Sequence, residues 1–138
     1  DMLANNLAVV AEPSSKGTGN EVDMEQILNW NPDVILFAPG SIYDTVADNE
    51  NWQTITAIKE GKYYEVPFGP YNWMGFPPSV QRLLGMQWMA AVLYPDAVDY
   101  DMYEAASAYF ELFYHCELTE AQFAAMTANS LPADAQAA

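Results

Sequence analysis

Lys62-Tyr-Tyr-Glu-Val-Pro-Phe-Gly-Pro-Tyr-Asn-Trp-Met-Gly-Phe-Pro-Pro78 joins a strand to a helix through a loop that cannot itself be helical. Lys62 to Val66 has the composition of a short strand. Pro67, Pro70, Pro77 and Pro78 then fix φ and remove donors, while Gly69 and Gly75 permit bends that other residues resist. The last two prolines stand near the start of the next helix, where proline is tolerated. Phe68, Tyr71, Trp73, Met74 and Phe76 lie in this stiffened loop, with Asn72 among them. Strand, rigid aromatic loop and helix follow one another where α/β domains usually hold ligands.

Upstream, Val34-Ile-Leu-Phe-Ala38 is an unbroken apolar run, which suits a strand buried on both faces of a parallel sheet. Asp23 and Gln26 form a capping box for a helix from Met24 to Trp30, with Ile27 and Leu28 turned inward, and Asn31-Pro32 stops it. Between the two strands, Trp52, Ile55 and Ile58 recur at helical spacing within Ile42 to Lys59, and Gly61 takes the C′ position. Leu7-Ala-Val-Val-Ala11 reads as a weaker first strand, and Glu12 to Asn20 as a loop.

Downstream, Val80, Leu83, Leu84, Trp88, Ala91 and Val92 mark one face of a helix that ends before Pro95. Tyr103, Ala106, Phe110, Phe113 and Tyr114 mark a second, from Asp101 to His115. A third starts at Thr119 and carries Phe123 and Met126. Residues 131–138 read as a flexible, Pro/Ala-rich tail. The order predicts an α/β fold: a small parallel sheet flanked by helices, Rossmann-like, with a helical C-terminal part.

The 138 residues suffice for one domain with a modest core, and 51% hydrophobic content predicts a packed state. Four Lys and Arg stand against 19 Asp and Glu, a net charge of −15. That field repels phosphate backbones and excludes nucleic acid as a partner. A single cysteine, Cys116, rules out an intrachain disulfide and a multi-thiolate metal site. His115 is the only histidine, and on a helix it points about 100° from Cys116, so the two do not make a base and nucleophile. His115 reads instead as a helix-terminal residue near the last carbonyls. Asp99 and Asp101 read as N-terminal helix charges, and no phosphate-loop, dinucleotide or HExxH motif is present. The residues give no support to an enzyme, a resident metal or a cofactor. Aromatics on helix faces, Trp30, Trp88, Phe110 and Phe113, read as core. Those in the 67–78 loop have two readings: ligand contacts of low entropic cost, or a lid packed back onto the sheet.

Several segments in register resemble a known family. They are Glu21-Val-Asp-Met-Glu-Gln-Ile-Leu-Asn-Trp-Asn-Pro-Asp-Val-Ile-Leu36, Trp52 to Val66, Trp73-Met-Gly-Phe-Pro-Pro-Ser-Val80 and Leu93-Tyr-Pro95. Together they are similar to the type III (cluster A-II) substrate-binding proteins, the extracytoplasmic receptors of ABC importers for ferric siderophores, haem and corrinoids. The resemblance implies two lobes joined by a long helix, with ligand in the cleft between them and no catalysis. It implies aromatic ligand contacts from Tyr71 and Trp73 after the second strand, and a cleft border at Pro39, Gly40, Ser41 and Tyr43 after the first; Asn72 and Ser41 read as hydrogen-bonding groups and Phe68 as a further contact. Residues 1–130 then correspond to most of a C-terminal lobe, lacking its opening strands and the N-terminal lobe.

The implied ligand is a metal-chelate small molecule, a ferric siderophore ahead of haem or a corrinoid, and the implied partner is an ABC permease. Permease docking in this family uses a surface glutamate, for which Glu50 and Glu65 are the candidates. The implied location is extracytoplasmic, periplasmic or lipid-anchored. An unpaired edge on the Leu7–Val10 or Val34–Ala38 strand predicts self-association. The competing reading is a protein-interaction or structural α/β module with the aromatic loop as core.

Overall fold

The computed structural model describes residues 4–8, 22–75 and 77–132. The expected loop Glu12–Asn20, Val9 to Ala11 of the first strand, Phe76 and the tail from residue 133 lie outside them, while Leu7 and Ala8 form a turn. Helix α1 runs Met24–Trp30, and its capping box is as the sequence predicts. Asp23 Oδ1 accepts from Gln26 N at 2.8 Å and Gln26 Oε1 from Asp23 N at 3.1 Å. Asn31 ends it in the left-handed region, and its side-chain amide pairs with the backbone and hydroxyl of Thr56 at 2.9 Å.

Strand β1, Ile35–Phe37, pairs in parallel with β2, Tyr63–Glu65, in the register Ile35 to Tyr63 and Phe37 to Glu65. Between them lie α2, Tyr43–Val46, a 3₁₀ turn Trp52–Thr54 and α3, Thr56–Lys59. The helical spacing of Trp52, Ile55 and Ile58 is thus split over two short elements. Asn49 explains part of the break, because its Oδ1 takes the Asn51 N–H at 3.0 Å and diverts it from a helical ladder. Gly61, at φ +68°, follows α3 as its left-handed stop.

Both faces of the sheet are covered, and the period-2 alternation assigns each side chain. Ile35, Phe37 and Tyr63 face a smaller core with Val46, Ile55, Ala57 and Ile58, joined by Met24 and Ile27. Val34, Leu36, Tyr64 and Val66 face a larger core built by α4 (Arg82–Leu93), α5 (Met102–Tyr114) and α6 (Glu120–Thr127). α5 and α6 are capped by Asp101 and Thr119, and His115 closes α5 in the left-handed region. Leu84, Trp88 and Val92 lie on the buried stripe of α4 as expected, but Val80 and Leu83 are about half exposed, at 51% and 49%. The helix starts only at Arg82, so Val80 falls outside its periodicity. Leu28 also faces outward, whereas Ile27 faces the core.

Composition assigns Leu131 to a flexible tail, yet it is buried in the larger core. The segment before it lies along the outer edge of β2 without joining the two-stranded sheet. Glu65 N donates to Asn129 O at 2.8 Å, and Ser130 Oγ donates to Glu65 O at 2.5 Å. Trp88 Nε1 fixes the same segment through Ser130 O at 2.6 Å. The outer edge of β2 is therefore covered, and the edge expected to be open is that of β1.

Tyr109 is buried against Phe113, ring centroids 4.6 Å apart, and its hydroxyl finds no well-formed hydrogen bond among the described residues. Burial, with Tyr114 adding to it, pushes the phenol well above its ordinary pKa. An orphaned buried hydroxyl costs more than its absence, so Tyr109→Phe is expected to raise stability by about 1 kcal/mol. A lower urea midpoint for the variant would show that the hydroxyl is satisfied.

Candidate functional site

β1 and β2 are parallel neighbours, so the loops leaving their carboxyl ends emerge side by side. The longer loop, residues 66–81, is built inward from Trp73. This residue has no exposed surface and packs with Leu84 and Trp88 in the larger core. Its Nε1 donates to Gly69 O at 3.1 Å, and its backbone N–H donates to Pro67 O at 3.2 Å. Buried Pro67 and Trp73 thus anchor both ends of a tight reversal in which Gly69 N donates to Tyr71 O at 3.1 Å. Gly69 cannot be replaced cheaply there. Its φ is +146°, and a Cβ would stand 2.4 Å from Met126 Sδ.

Anchoring the loop inside turns other rings outward. Phe68, 57% exposed, and Tyr71, 46% exposed, stand at the apex of the reversal, with Phe68 bridged to Asn72 across it. Asn72 is half-buried, and its Oδ1 is committed to Met74 N at 2.9 Å and Gly75 N at 2.5 Å. The structure thereby separates the four aromatic-loop candidates. Phe68 and Tyr71 present surface, Asn72 shapes the turn, and Trp73 serves the core, with no surface for stacking on a solute.

The shorter loop, residues 38–42, carries Ser41, which is exposed, with Tyr43 at the start of α2. Tyr43 packs on Phe37 and Tyr63, with centroids 6.1 and 5.3 Å away. Burial, helped by Tyr63 and Glu65, raises its pKa, so its hydroxyl stays protonated and able to donate at neutral pH. Glu65 holds this loop in place. Its Oε1 accepts from Gly40 N at 2.8 Å and its Oε2 from Asn129 Nδ2 at 3.2 Å. Both carboxylate oxygens are used internally, whereas Glu50, the other glutamate singled out from the sequence, is exposed.

Gln81 escaped the sequence reading, and Glu65 entered it only as a docking candidate. Gln81 is fully buried, bonded through Nε2 to Gly69 O at 3.0 Å and through Oε1 to the Tyr114 hydroxyl at 2.6 Å. Its place three, seven and eleven positions before Leu84, Trp88 and Val92 continues the apolar stripe and was the available signal. Glu65 was marked by sharing a strand face with Tyr63, two residues away.

Of two open depressions, the first lies away from these loops and the second borders Tyr43. The first, of about 430 Å³, is lined by Ser107, Glu111, His115, Cys116 and Glu117, and the second, of about 170 Å³, by Tyr43, Tyr63 and Asn129 among others. Among the described residues no three His, Cys, Asp or Glu side chains converge to hold a metal ion. No helix among them is long and apolar enough to cross a membrane.

Residues 2–69, about half the chain, match a family model described as periplasmic binding protein. Over 108 residues the chain is 32% identical to the molybdate-binding protein MolA of Haemophilus influenzae, covering 76% of this chain and 30% of that one. Among solved structures it is similar to an ABC transporter solute-binding protein from Sulfurospirillum deleyianum. There the TM-score is 0.72 and the identity 35%, over 77% of this chain and 33% of that one. A periplasmic solute-binding protein from Veillonella parvula follows with a TM-score of 0.68 and 31% identity, over 85% and 37%. The chain thus spans 30% to 37% of the length of these relatives. Its α/β architecture, its paired strand-end loops and these similarities agree: the chain belongs to the periplasmic binding protein family.

Proposed function

We propose that this chain forms most of the C-terminal lobe of an extracytoplasmic receptor, periplasmic or lipid-anchored, that captures a solute between two lobes and delivers it to an ABC permease. Capture is noncovalent. Phe68 and Tyr71 supply apolar area, while the Ser41 and Tyr43 hydroxyls and the Asn72 amide supply hydrogen bonds. The observation that carries the reading is the pair of exposed rings on a reversal anchored at its two ends by buried Pro67 and Trp73. Rings already held in place lose little entropy on binding. A rigid aromatic pair suits the organic shell of a ferric siderophore, with haem or a corrinoid behind it.

A molybdate-type oxyanion is the second reading, favoured by the likeness to MolA, one solved structure of which is described as bound to molybdate. The charge of this chain weighs against it. Among the described residues the cations are Lys59, Lys62 and Arg82; Lys62 pairs with Glu60 at 2.7 Å, and Arg82 donates to Gly75 O at 3.2 Å. An anion would need its cationic partners from outside this lobe.

Titrating the intact protein with ferrioxamine, haemin, cobalamin and molybdate, followed by tryptophan fluorescence, decides between them. Phe68→Ala and Tyr71→Ala are each expected to weaken binding of the responding compound about tenfold with little change in thermal midpoint. Unchanged affinity in both variants would favour the structural-module reading. The same model of the sheet has a second outcome. Leu36 points its backbone N–H and C=O away from β2 by the parallel ladder geometry, and no strand covers that edge among the described residues. The 138-residue chain is expected to self-associate there, and a sharp 15.4 kDa species in light scattering at all micromolar concentrations overturns this.

A further inference from the structure

We infer that Gln81 is a positioning residue for the solute loop: its buried amide sets where Phe68 and Tyr71 hold their rings. The inference rests on the reading that those rings meet the solute. Gln81 has no exposed surface and shares its side of the chain with Leu84 and Trp88. An apolar residue would be buried there at lower cost, so the amide needs a reason of its own.

The reason lies in its two ends. Nε2 donates to Gly69 O at 3.0 Å, and Oε1 accepts from the Tyr114 hydroxyl at 2.6 Å. Gly69 O can only accept, so it fixes which end of the amide is nitrogen. That same carbonyl takes the Trp73 indole N–H at 3.1 Å. Its two lone pairs are thus held by buried side chains from either side. Gly69 lies directly between Phe68 and the Pro70–Tyr71 pair, and its own N–H closes the reversal on Tyr71 O at 3.1 Å. A displacement of this one carbonyl therefore moves both exposed rings.

The far end of the link is the last turn of α5, where Tyr114 sits. The loop is registered against a helix more than 30 residues later in the chain, since Gln81 and Tyr114 are 33 positions apart. Only a neutral amide of this length donates at one end and accepts at the other. Ionised glutamate has no proton to give, methionine has neither function, and asparagine is one methylene short. Protonated glutamate, by contrast, recovers the donor.

The test uses the intact protein and two separate readouts. Amide hydrogen exchange of residues 67–75, without solute, reports the tether. The dissociation constant for whichever of ferrioxamine or molybdate the wild type binds reports its use. Gln81→Met is expected to accelerate exchange in the loop about tenfold, relative to wild type at the same pH, near pH 7 and about pH 4 alike. Gln81→Glu is expected to accelerate it only above the carboxyl's pKa, which burial raises, and to return toward wild type below that pH. Simple loss of packing would give no such pH-dependent rescue. Tyr114→Phe, which leaves the packing of Gln81 intact, is expected to accelerate exchange about threefold and covers the case in which the Gln81 variants do not fold.

Exchange at the wild-type rate in Gln81→Met or Tyr114→Phe overturns the positioning role. Faster exchange accompanied by about tenfold weaker binding supports it. Faster exchange with unchanged affinity upholds the tether and instead overturns the reading that Phe68 and Tyr71 contact the solute.

Discussion

Replacing Gly85 with alanine is expected to destabilise the protein by about 3 kcal/mol, although alanine is the better helix former by about 1 kcal/mol. Gly85 lies inside α4 and is buried, with the Trp73 carbonyl packed against its Cα. A Cβ at this position would stand 2.1 Å from Trp73 O and 2.9 Å from Met74 Sδ. The sulfur can move because it ends a flexible chain. The carbonyl cannot, because Trp73 N and Nε1 are both hydrogen-bonded and its ring is enclosed. Relief therefore requires α4 to retreat from the loop, opening space around Leu84 and Trp88. Steric overlap outweighs propensity by a factor of several. Urea unfolding of the Gly85→Ala protein measures the outcome, and a midpoint at or above that of wild type would show that helix and loop are not in contact as described.

Trp73→Ala is expected to cost still more, about 3 to 5 kcal/mol, a large share of the 5 to 15 kcal/mol by which a domain of this size is stable. The substitution removes the largest wholly buried side chain of the loop and the hydrogen bond that holds Gly69 O. Solute binding should fall as well, through the unfolded fraction and through the freed Gly69 carbonyl that sets Phe68 and Tyr71, and not through a lost contact, because Trp73 offers a solute no surface. Tyr71→Ala is the matched control, with affinity lost and stability kept. If Trp73→Ala kept its wild-type unfolding midpoint and lost affinity directly, the indole would have to face the solute.

Much of the fold was legible because its determinants are local. Asp23 with Gln26, Thr119, Asp101 and Gly61 are short-range signals, and each marks the boundary the structure shows. The apolar run at Val34–Ala38 and the strand at Lys62–Val66 were placed correctly, within a residue or two at each end. The site was legible to the level of the loop and no further. Which of Phe68, Tyr71 and Trp73 faces outward depends on tertiary contacts with Met126, Gln81 and Gly85, and no spacing within the loop encodes those. The roles of Leu131 and Ser130 were hidden for the same reason. Their partners, β2 and Trp88, lie more than 40 residues earlier, in a stretch whose own composition gives no sign of them.

The segment Asn129–Ser130 that lines the outer edge of β2 also bears on the order of events during synthesis. Glu65 and Ser130 are 65 positions apart, so the outer edge of β2 is covered only after the ribosome has delivered nearly all of these residues. Until then β2 has a bare flank, and Trp88 lacks the carbonyl that receives its indole N–H. Joining ends so distant costs chain entropy before any contact offsets it, which slows the last step relative to the local helices. A nascent chain of this lobe therefore passes through an interval with an uncovered strand, during which a chaperone or a neighbouring chain competes with its own C-terminal segment for that flank.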